Sequence, residues 1–212
     1  MVTASVCPTS AAGVDLEGAL TAALAGDEAG FIALYRDLQP RLLRYAAALV
    51  GTDAEDVTAE TWLHVTKDLR RFAGDLDGFR GWVTTICRHR AMDSARARAR
   101  RPVQAVEVTE LAEWSLADPS FTDGAVFERL DTRWAMSLIL QLPRTEAEAV
   151  LLRAVVGLDA ATAGRVLGKR AGAVRVAAHR GLRRLADRIA AEPVSRPGPG
   201  PQVVRPREAS DA

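Results

Sequence analysis

Basic side chains are concentrated in two segments of this 212-residue chain, although its formal net charge is only +1. One segment is Arg88–Arg101, in which Asp93 is the lone acid, and the other is Lys169–Arg188, in which Asp187 is the lone acid. Guanidinium groups bind phosphate oxygens, so clustered arginines favour a nucleic-acid partner, with a merely solvated surface as the alternative. Because residues 107–131 are rich in Asp and Glu, two electropositive patches are compatible with a balanced total charge.

A separate acidic cluster raises the possibility of a metal site. It comprises Asp53, Glu55, Asp56 and Glu60. No second group of ligands accompanies these carboxylates, and the two cysteines, Cys7 and Cys87, match neither a disulfide framework nor a zinc site. We therefore expect no metal, no cofactor and no enzymatic activity, and we expect Cys87 to be a small core residue.

The hydrophobic residues, 48% of the chain, are spread along it. No stretch contains the roughly 18 uninterrupted apolar residues of a membrane-spanning helix, and the first residues lack the basic-then-apolar order of a secretory signal. We therefore expect a cytoplasmic protein with no membrane insertion.

Apolar residues recur at spacings of three and four over residues 15–191, and alternating strand patterns are absent, which predicts an all-α fold. Helices are expected over 15–25 and from about 27 to 51, with a kink or a break at Pro40. Thr52-Asp53-Ala54-Glu55 has the spacing of a capping box, so a third helix is expected to begin there. Its buried stripe is expected to contain Val57, Thr61, Val65 and Leu69.

The second half of the chain shows a pattern that binds DNA in many proteins. A loop is expected over 73–78 and a fourth helix over 79–101. Helical periodicity of the apolar residues then resumes near residue 126. A short helix over 159–167, Gly168 at a turn and a basic helix over about 170–190 then form a helix-turn-helix, which places its second helix in the major groove. The core side of that second helix is expected to carry Val174, Ala178, Leu182, Leu185 and Ile189.

These elements predict two small helical domains joined by a flexible linker. The expected boundaries are a disordered N-terminus over 1–14, a first domain over 15–101, an acidic linker over 102–123, a second domain over 124–191 and a disordered tail over 192–212.

The motifs of both domains resemble those of extracytoplasmic-function (ECF) sigma factors. The second domain is similar to region 4 of that family through Leu142-Pro143, Ala149-Val150-Leu151-Leu152-Arg153, Gly157-Leu158, Leu167-Gly168, Gly172-Ala173-Val174-Arg175 and His179-Arg180-Gly181-Leu182-Arg183-Arg184-Leu185. The first domain is similar to region 2 through Asp53-Ala54-Glu55-Asp56-Val57-Thr58-Ala59-Glu60-Thr61-Trp62-Leu63, Phe79-Arg80-Gly81-Trp82-Val83 and Cys87-Arg88-His89-Arg90-Ala91-Met92-Asp93.

The resemblance implies a non-enzymatic subunit that directs core RNA polymerase to promoter DNA. Its implied partners are the β′ clamp helices and the β flap of the polymerase, the −10 and −35 promoter elements, and an anti-sigma factor. The expected polymerase-binding residues are Asp53, Asp56, Glu60, Thr61 and His64. The expected −10 contacts are Asp75, Asp77, Phe79, Trp82, Arg88, His89, Arg90 and Arg96. The expected −35 contacts are Lys169, Arg170, Arg175, Val176, His179, Arg180 and Arg183.

Some of these assignments have structural alternatives. A core position suits Trp82 better than a platform that stacks on a flipped base, and His179 is as compatible with capping or packing as with DNA contact. The sequence also departs from many relatives at Ala59 and His89, which affects the contacts expected at those positions. It departs again at Val176-Ala177, so −35 recognition is expected to rest on fewer direct contacts.

Two other classes of protein fit parts of the pattern. A sigma-like decoy keeps the fold in order to occupy an anti-sigma factor, but it would be expected to lose the basic faces. A stand-alone helix-turn-helix regulator would not need the acidic helix at 53–61 and would usually carry a sensory or dimerising domain, which this length hardly permits.

Overall fold

A computed structural model describes residues 15–100 and 134–191, and every regular element among them is helical. The elements are α1 Leu16–Leu24, α2 Glu28–Val50, α3 Ala54–Asp68, α4 Leu76–Arg100, α5 over 134–140, α6 Arg144–Val150, a π-helical turn Leu151–Val156, α7 Ala160–Leu167 and α8 Ala171–Ala191. Short 3₁₀ turns, Gly51–Asp53 and Leu69–Arg71, flank α3. The all-α prediction is confirmed.

Side-chain caps define the first two helices. The Asp15 carboxylate accepts from the Gly18 amide at 3.0 Å, and the Asp27 carboxylate accepts from the Gly30 amide at 2.8 Å. Each carboxylate satisfies an amide that the first helical turn leaves without a partner. Helix α2 runs unbroken through Pro40, so the predicted break is absent.

One predicted helix cap and one predicted helix start are wrong for local reasons. Helix α3 has no side-chain cap, because the chain enters it directly from the 3₁₀ turn, and the Thr52 hydroxyl instead accepts a hydrogen bond from Arg98. Helix α4 begins at Leu76, three residues before the predicted Phe79, because the Asp75 carboxylate accepts from the Gly78 amide at 2.7 Å. The loop in the structure is therefore shorter than the predicted loop over 73–78.

Helices α1–α4 pack around an apolar core that the helical spacing predicted well. Val57, Thr61, Val65 and Leu69 of α3 are all buried, and so is Cys87 of α4. Burial raises the pKa of the Cys87 thiol to about 12. Burial also raises the pKa of Tyr45, which lies in α2 with no exposed surface.

Helices α5–α8 form the second module. Leu142 and Pro143 make the predicted turn before α6. Gly157, in the left-handed conformation with φ 87°, ends the π-helical turn. The backbone amide of Leu158 then reaches back to the Leu152 carbonyl at 2.9 Å and turns the chain toward α7.

The two modules lie against each other. Helix α2 packs on the π-helical turn and α4 packs on α7, so the buried residues of both modules belong to one continuous apolar cluster. The expected N-terminal, linker and tail segments, over 1–14, 102–123 and 192–212, lie outside the described residues. Among helices within 15–100 and 134–191, none is long and apolar enough to cross a membrane.

Candidate nucleic-acid interface

The turn between α7 and α8 is built from short-range contacts. The Asp159 carboxylate caps α7 by accepting from the amides of Ala161 and Thr162 at 3.1 and 2.8 Å. The hydrogen bonds from Thr162 are the main reason that the pKa of Asp159 lies below its ordinary value. Gly168 then adopts the left-handed conformation with φ 64°, which glycine tolerates without steric cost.

A second glycine allows α7 and α8 to meet closely. A Cβ atom on Gly164 would lie 2.6 Å from the Lys169 carbonyl oxygen, and the Lys169 amide donates to the Gly164 carbonyl at 2.8 Å. The predicted helix-turn-helix is therefore present, with its two helices fixed by backbone contact.

The core side of α8 is narrower than predicted. Val174, Ala178 and Gly181 are buried, whereas Leu182 and Ile189 are 49% and 46% exposed. Gly181 fits because a Cβ atom there would lie 2.7 Å from Val150. The prediction that Leu182 and Ile189 belong to the core is wrong, because α6 packs on the Gly181 side of α8.

The opposite side of α8 is a cationic surface. We call it the α8 face: Lys169, Arg170, Arg175, Val176, His179, Arg180 and Arg183, all of which are exposed. None of its basic side chains lies within 4.0 Å of a carboxylate in the part of the chain that the structure describes. Arg184, just beside this face, instead pairs with the buried Glu146 at 3.2 Å. The α8 face thus presents cations and one half-exposed apolar residue, Val176, to a groove of duplex DNA.

The basic residues of α4 are placed differently, because most of them have acidic neighbours. Arg98 pairs with Asp53, which also accepts from Ser94 at 2.8 Å. Arg90 lies 4.0 Å from Glu60 and 3.4 Å from the Nδ1 atom of His64.

The remaining α4 candidates differ in exposure. Arg96 pairs with Asp93 at 3.2 Å on an exposed surface, and His89 is exposed. Arg88 is mostly buried and lies 3.5 Å from Glu148 of α6. In this arrangement Arg88 is therefore directed at the second module.

The exposed side of α3 is acidic. Asp56 and Glu60 lie one helical turn apart and are exposed, while His64 is half-buried and pairs with Asp68 at 3.2 Å. Thr61, which we expected among the polymerase contacts, is fully buried and donates to the Val57 carbonyl at 2.7 Å. It packs the helix and is removed from the candidate surface.

A groove of about 410 Å³ lies beside the start of α4. Phe72 and Trp82 line one wall, with ring centroids 5.2 Å apart and planes inclined by 26°. Asp75 also lines it, but Phe79 is only 1% exposed and packs edge-on against Phe72, so Phe79 is a core residue and not an accessible −10 contact.

Sequence reasoning missed the opposite wall of this groove. Thr162, Arg165 and Val166 of α7 form it, about 80 positions further along the chain than Trp82. Contacts over such separations leave no periodic pattern in a sequence. Phe72 was also missed, although an aromatic residue directly before the Gly74 turn is a usable signal.

The acidic cluster does not assemble a metal site within residues 15–100 and 134–191, where no group of three or more His, Cys, Asp or Glu side chains is placed to hold an ion. Asp53 is held by Arg98 and Ser94, while Asp56 and Glu60 face outward.

Comparison with protein families agrees with the geometry. The family model for Sigma-70 region 2 matches residues 34–101, and that for Sigma-70, region 4 matches residues 132–185. The first match contains α3 and α4, and the second contains the helix-turn-helix.

Two curated relatives cover most of the chain. The ECF RNA polymerase sigma factor SigD of Mycobacterium tuberculosis is 33% identical over 198 residues, which cover 90% of this chain and 92% of SigD. The ECF RNA polymerase sigma factor ShbA of Streptomyces griseus is 33% identical over 174 residues, which cover 77% of this chain and 89% of ShbA.

Two solved structures share the fold. CnrH, in complex with the cytosolic domain of CnrY, matches 84% of this chain and 100% of its own with a TM-score of 0.57 and 22% identity. The sigma factor RpoE, in complex with the anti-sigma factor NepR from Bartonella quintana, matches 77% of this chain and 98% of its own with a TM-score of 0.53 and 19% identity.

Proposed function

Since this chain belongs to the ECF family of RNA polymerase sigma factors, we propose that α3 binds core polymerase, that α4 with the adjoining groove recognises the −10 element, and that the α8 face recognises the −35 element. The observation that carries the proposal is the α8 face itself. Its basic residues are exposed and lack carboxylate partners among the described residues, on the helix that a helix-turn-helix places in the major groove.

The order of residues on α8 supports a division of labour in −35 recognition. Lys169, Arg170 and Arg175 lie at or near the start of the helix, where side chains reach base edges, and arginine there can bond guanine bidentately. Arg180 and Arg183 lie further along, where phosphate contact is the usual role. Val176, 50% exposed, is suited to apolar contact with a thymine methyl group.

The α3 surface suits a protein partner better than it suits DNA. Asp56 and Glu60 would repel phosphate, but they complement a basic surface on the polymerase. His64 borders this surface, with Asp53 further toward the start of α3.

At the −10 element, the exposed residues His89 and Arg96 would contact the DNA backbone, with Arg90 beside them. Trp82 and Phe72 border the groove of about 410 Å³, where we propose that an extruded base stacks. Asp75, which lines this groove, and the exposed Asp77 two positions further along would accept hydrogen bonds from base amino groups. Arg88 joins these residues only after it leaves Glu148.

Further properties follow from this role. A sigma factor is a transcription initiation factor, and we propose that this one has no enzymatic activity of its own. Because promoter DNA and core polymerase are found in the bacterial cytoplasm, we propose that this protein acts there. The complex of the sigma factor RpoE with the anti-sigma factor NepR, whose sigma subunit shares this fold, also supports an anti-sigma factor as a partner of this chain.

Run-off transcription with purified core polymerase and fragments of the source genome tests the proposal. We expect start sites that share two spaced promoter elements. A stand-alone regulator or a decoy would give no transcription that depends on this protein, and that outcome would contradict the proposal.

Co-migration with core polymerase tests the α3 assignment separately. Replacing Asp56→Asn and Glu60→Gln together should weaken co-migration because both carboxylates face outward on one side of α3. The matched control is Glu17→Gln with Glu28→Gln, which removes the same charge from exposed positions on α1 and α2. Equal weakening by both pairs would mean that only net charge matters.

A further inference from the structure

A chain of polar contacts links the outer side of α3 to α4. The Asp68 carboxylate lies 3.2 Å from the Nε2 atom of His64, which is one helical turn earlier on α3. The Nδ1 atom of the same ring lies 3.4 Å from the Nη2 atom of Arg90 on α4, 26 positions further along the chain. The Nε atom of Arg90 also lies 4.0 Å from the Glu60 carboxylate. His64 is therefore the central member, with one ring nitrogen directed at each helix.

The two contacts of His64 require one state of its ring. A guanidinium has only N–H groups, so the Nδ1 atom that faces Arg90 must be the acceptor. A carboxylate has only acceptor oxygens, so the Nε2 atom that faces Asp68 must carry the hydrogen. The neutral ring with its hydrogen on Nε2 meets both demands. Asp68 thus favours the tautomer whose lone pair holds Arg90.

A neutral acceptor affects Arg90 differently from a carboxylate. Arg98 pairs with Asp53, whose negative charge offsets the positive charge that DNA would attract. The imidazole of His64 accepts a hydrogen bond without negative charge, so it orients the guanidinium and leaves its charge intact. Glu60 offsets this charge weakly, because its side chain is 62% exposed and lies at 4.0 Å.

Arg90 is placed to use that charge. Its side chain is 40% exposed, so the guanidinium is accessible from solvent. A guanidinium has five N–H donors, and the contacts with His64 and Glu60 engage those on Nη2 and Nε, which leaves donors for a phosphate. An arginine that is already held loses less side-chain entropy when it binds.

The same geometry makes His64 a poor contact for a protein partner. Both of its ring nitrogens are engaged inside the protein, one with Asp68 and the other with Arg90. A polymerase surface on α3 would therefore meet the carbon atoms of the ring. Asp56, in contrast, presents an exposed carboxylate on the same helix.

We propose that His64 is a positioning residue for −10 recognition: it holds the guanidinium of Arg90 in the orientation that binds the promoter backbone. This inference rests on the proposed function, because it requires that α4 meets the −10 element. It assigns His64 to the DNA-binding surface of α4, whereas the sequence predicted a polymerase contact.

The test uses holoenzyme, which is core polymerase saturated with this protein. The probe is a labelled fragment of a promoter found by run-off transcription, with its −10 segment left unpaired. His64→Leu removes both ring nitrogens and is a better helix former, so α3 should not be weakened. The affinity of the holoenzyme for the fragment should fall about fivefold, because Arg90 is no longer held before it binds. Co-migration with core polymerase should not change.

His64→Asn is the conservative variant. The amide oxygen of asparagine is as many bonds from Cβ as the Nδ1 atom of histidine, so it can accept from Arg90. Affinity should return to within about twofold of the original value. A role in packing alone predicts the opposite order, because leucine suits a helix better than asparagine does.

A double-mutant cycle shows whether His64 acts through Arg90. Arg90→Met should lower the affinity about tenfold, because it removes a charged donor. In that background His64→Leu should cause no further loss. The matched control is Arg71→Met: Arg71 also pairs with Asp68, at 3.6 Å, but it is 87% exposed and makes neither contact of His64. It should change the affinity by less than about twofold.

Two results would overturn the inference alone. If His64→Leu weakens co-migration with core polymerase but leaves the affinity of the saturated holoenzyme unchanged, His64 is a polymerase contact. If His64→Leu costs as much in the Arg90→Met background as it does alone, His64 does not act through Arg90. A chain that never directs core polymerase to any promoter would instead contradict the proposed function, and this inference with it.

Discussion

Helices α4 and α8, with 25 and 21 residues, are the most arginine-rich helices in the part of the chain that the structure describes, but they are built in opposite ways. Helix α4 packs against α2, α3 and α7, and its arginines meet carboxylates of α2, of α3 and the turn before it, and of α6. Helix α8 buries only Val174, Ala178 and Gly181 and leaves its arginines to solvent, apart from Arg184 and Arg188, which have polar partners.

The difference separates two ways of using positive charge. The α8 face carries its cations ready for a duplex, and their benefit is realised when phosphate-bound counterions are released. The cations of α4 exchange an internal carboxylate for a phosphate, so part of their attraction to DNA is offset by the lost internal pair. The net charge of a segment therefore says less about its DNA affinity than the partners of each side chain do.

The largest effect is expected on α8. Replacing Arg175→Ala and Arg180→Ala together should weaken binding to a −35 duplex by about 2–4 kcal/mol, or roughly 30- to 1000-fold, because each removes a contact with no internal substitute. The slope of log affinity against log salt should also fall by about one contact, because Arg180 is assigned to phosphate and Arg175 to a base edge. Titration of a labelled duplex at several salt concentrations measures both quantities.

The matched control on the same helix is Arg188→Ala, which removes one exposed arginine that donates to Gln141 at 2.9 Å. It should change affinity little. A loss as large as that of the double variant would mean that α8 binds DNA through its overall charge, and the contrast with α4 would lose its basis.

The features that could be predicted from the sequence are those that local interactions determine. Asp15 and Asp27 cap helices through amides three residues away, and Gly168 turns the chain through its own dihedral angles, so a short stretch of sequence carries all the information. Helical spacing likewise predicted the buried side of α3 and the burial of Cys87.

Positions that depend on distant elements were not predictable in the same way. The spacing put Leu182 and Ile189 on the apolar side of α8, but it could not tell that they would have no helix to cover them. Phe79 lies within a motif associated with partner contact, yet it is buried. The bond between Arg41 and Val156 spans 115 positions, and nothing in a local pattern records it.

The second-largest effect is expected on the stability of the protein at alkaline pH, through Cys87 on the core side of α4. The pKa of Cys87 is raised from 9.0 to about 12, so the folded state keeps the thiol protonated while the unfolded chain ionises above pH 9. The contribution of the protonated Cys87 thiol to the free energy of unfolding is fully present below pH 9. It is lost as pH rises from 9 toward 12, and the free energy of unfolding falls by up to about 1.4 kcal/mol per pH unit.

Denaturant unfolding at about pH 8 and about pH 10 measures this effect, with Cys87→Ala for comparison. The variant should be less stable at the lower pH, because the core loses a sulfur atom, but its stability should fall less steeply toward the higher pH. Equal slopes would mean that Cys87 does not titrate on unfolding, and that other groups, including the buried Tyr45, cause the alkaline loss.

The smallest effect is the most specific test of the contrast between the two helices. Asp53→Asn keeps an oxygen that accepts from Ser94 but removes the charge that holds Arg98, so Arg98 becomes available to phosphate. Binding to non-specific duplex should strengthen by up to about 1 kcal/mol, roughly fivefold, with a salt slope larger by about one contact. The control Asp93→Asn removes an equal charge beside Arg96, whose pair is already exposed and screened, and should have less effect. If both variants strengthen binding equally, the gain comes from net charge, and the acidic neighbours of α4 do not restrain its arginines individually.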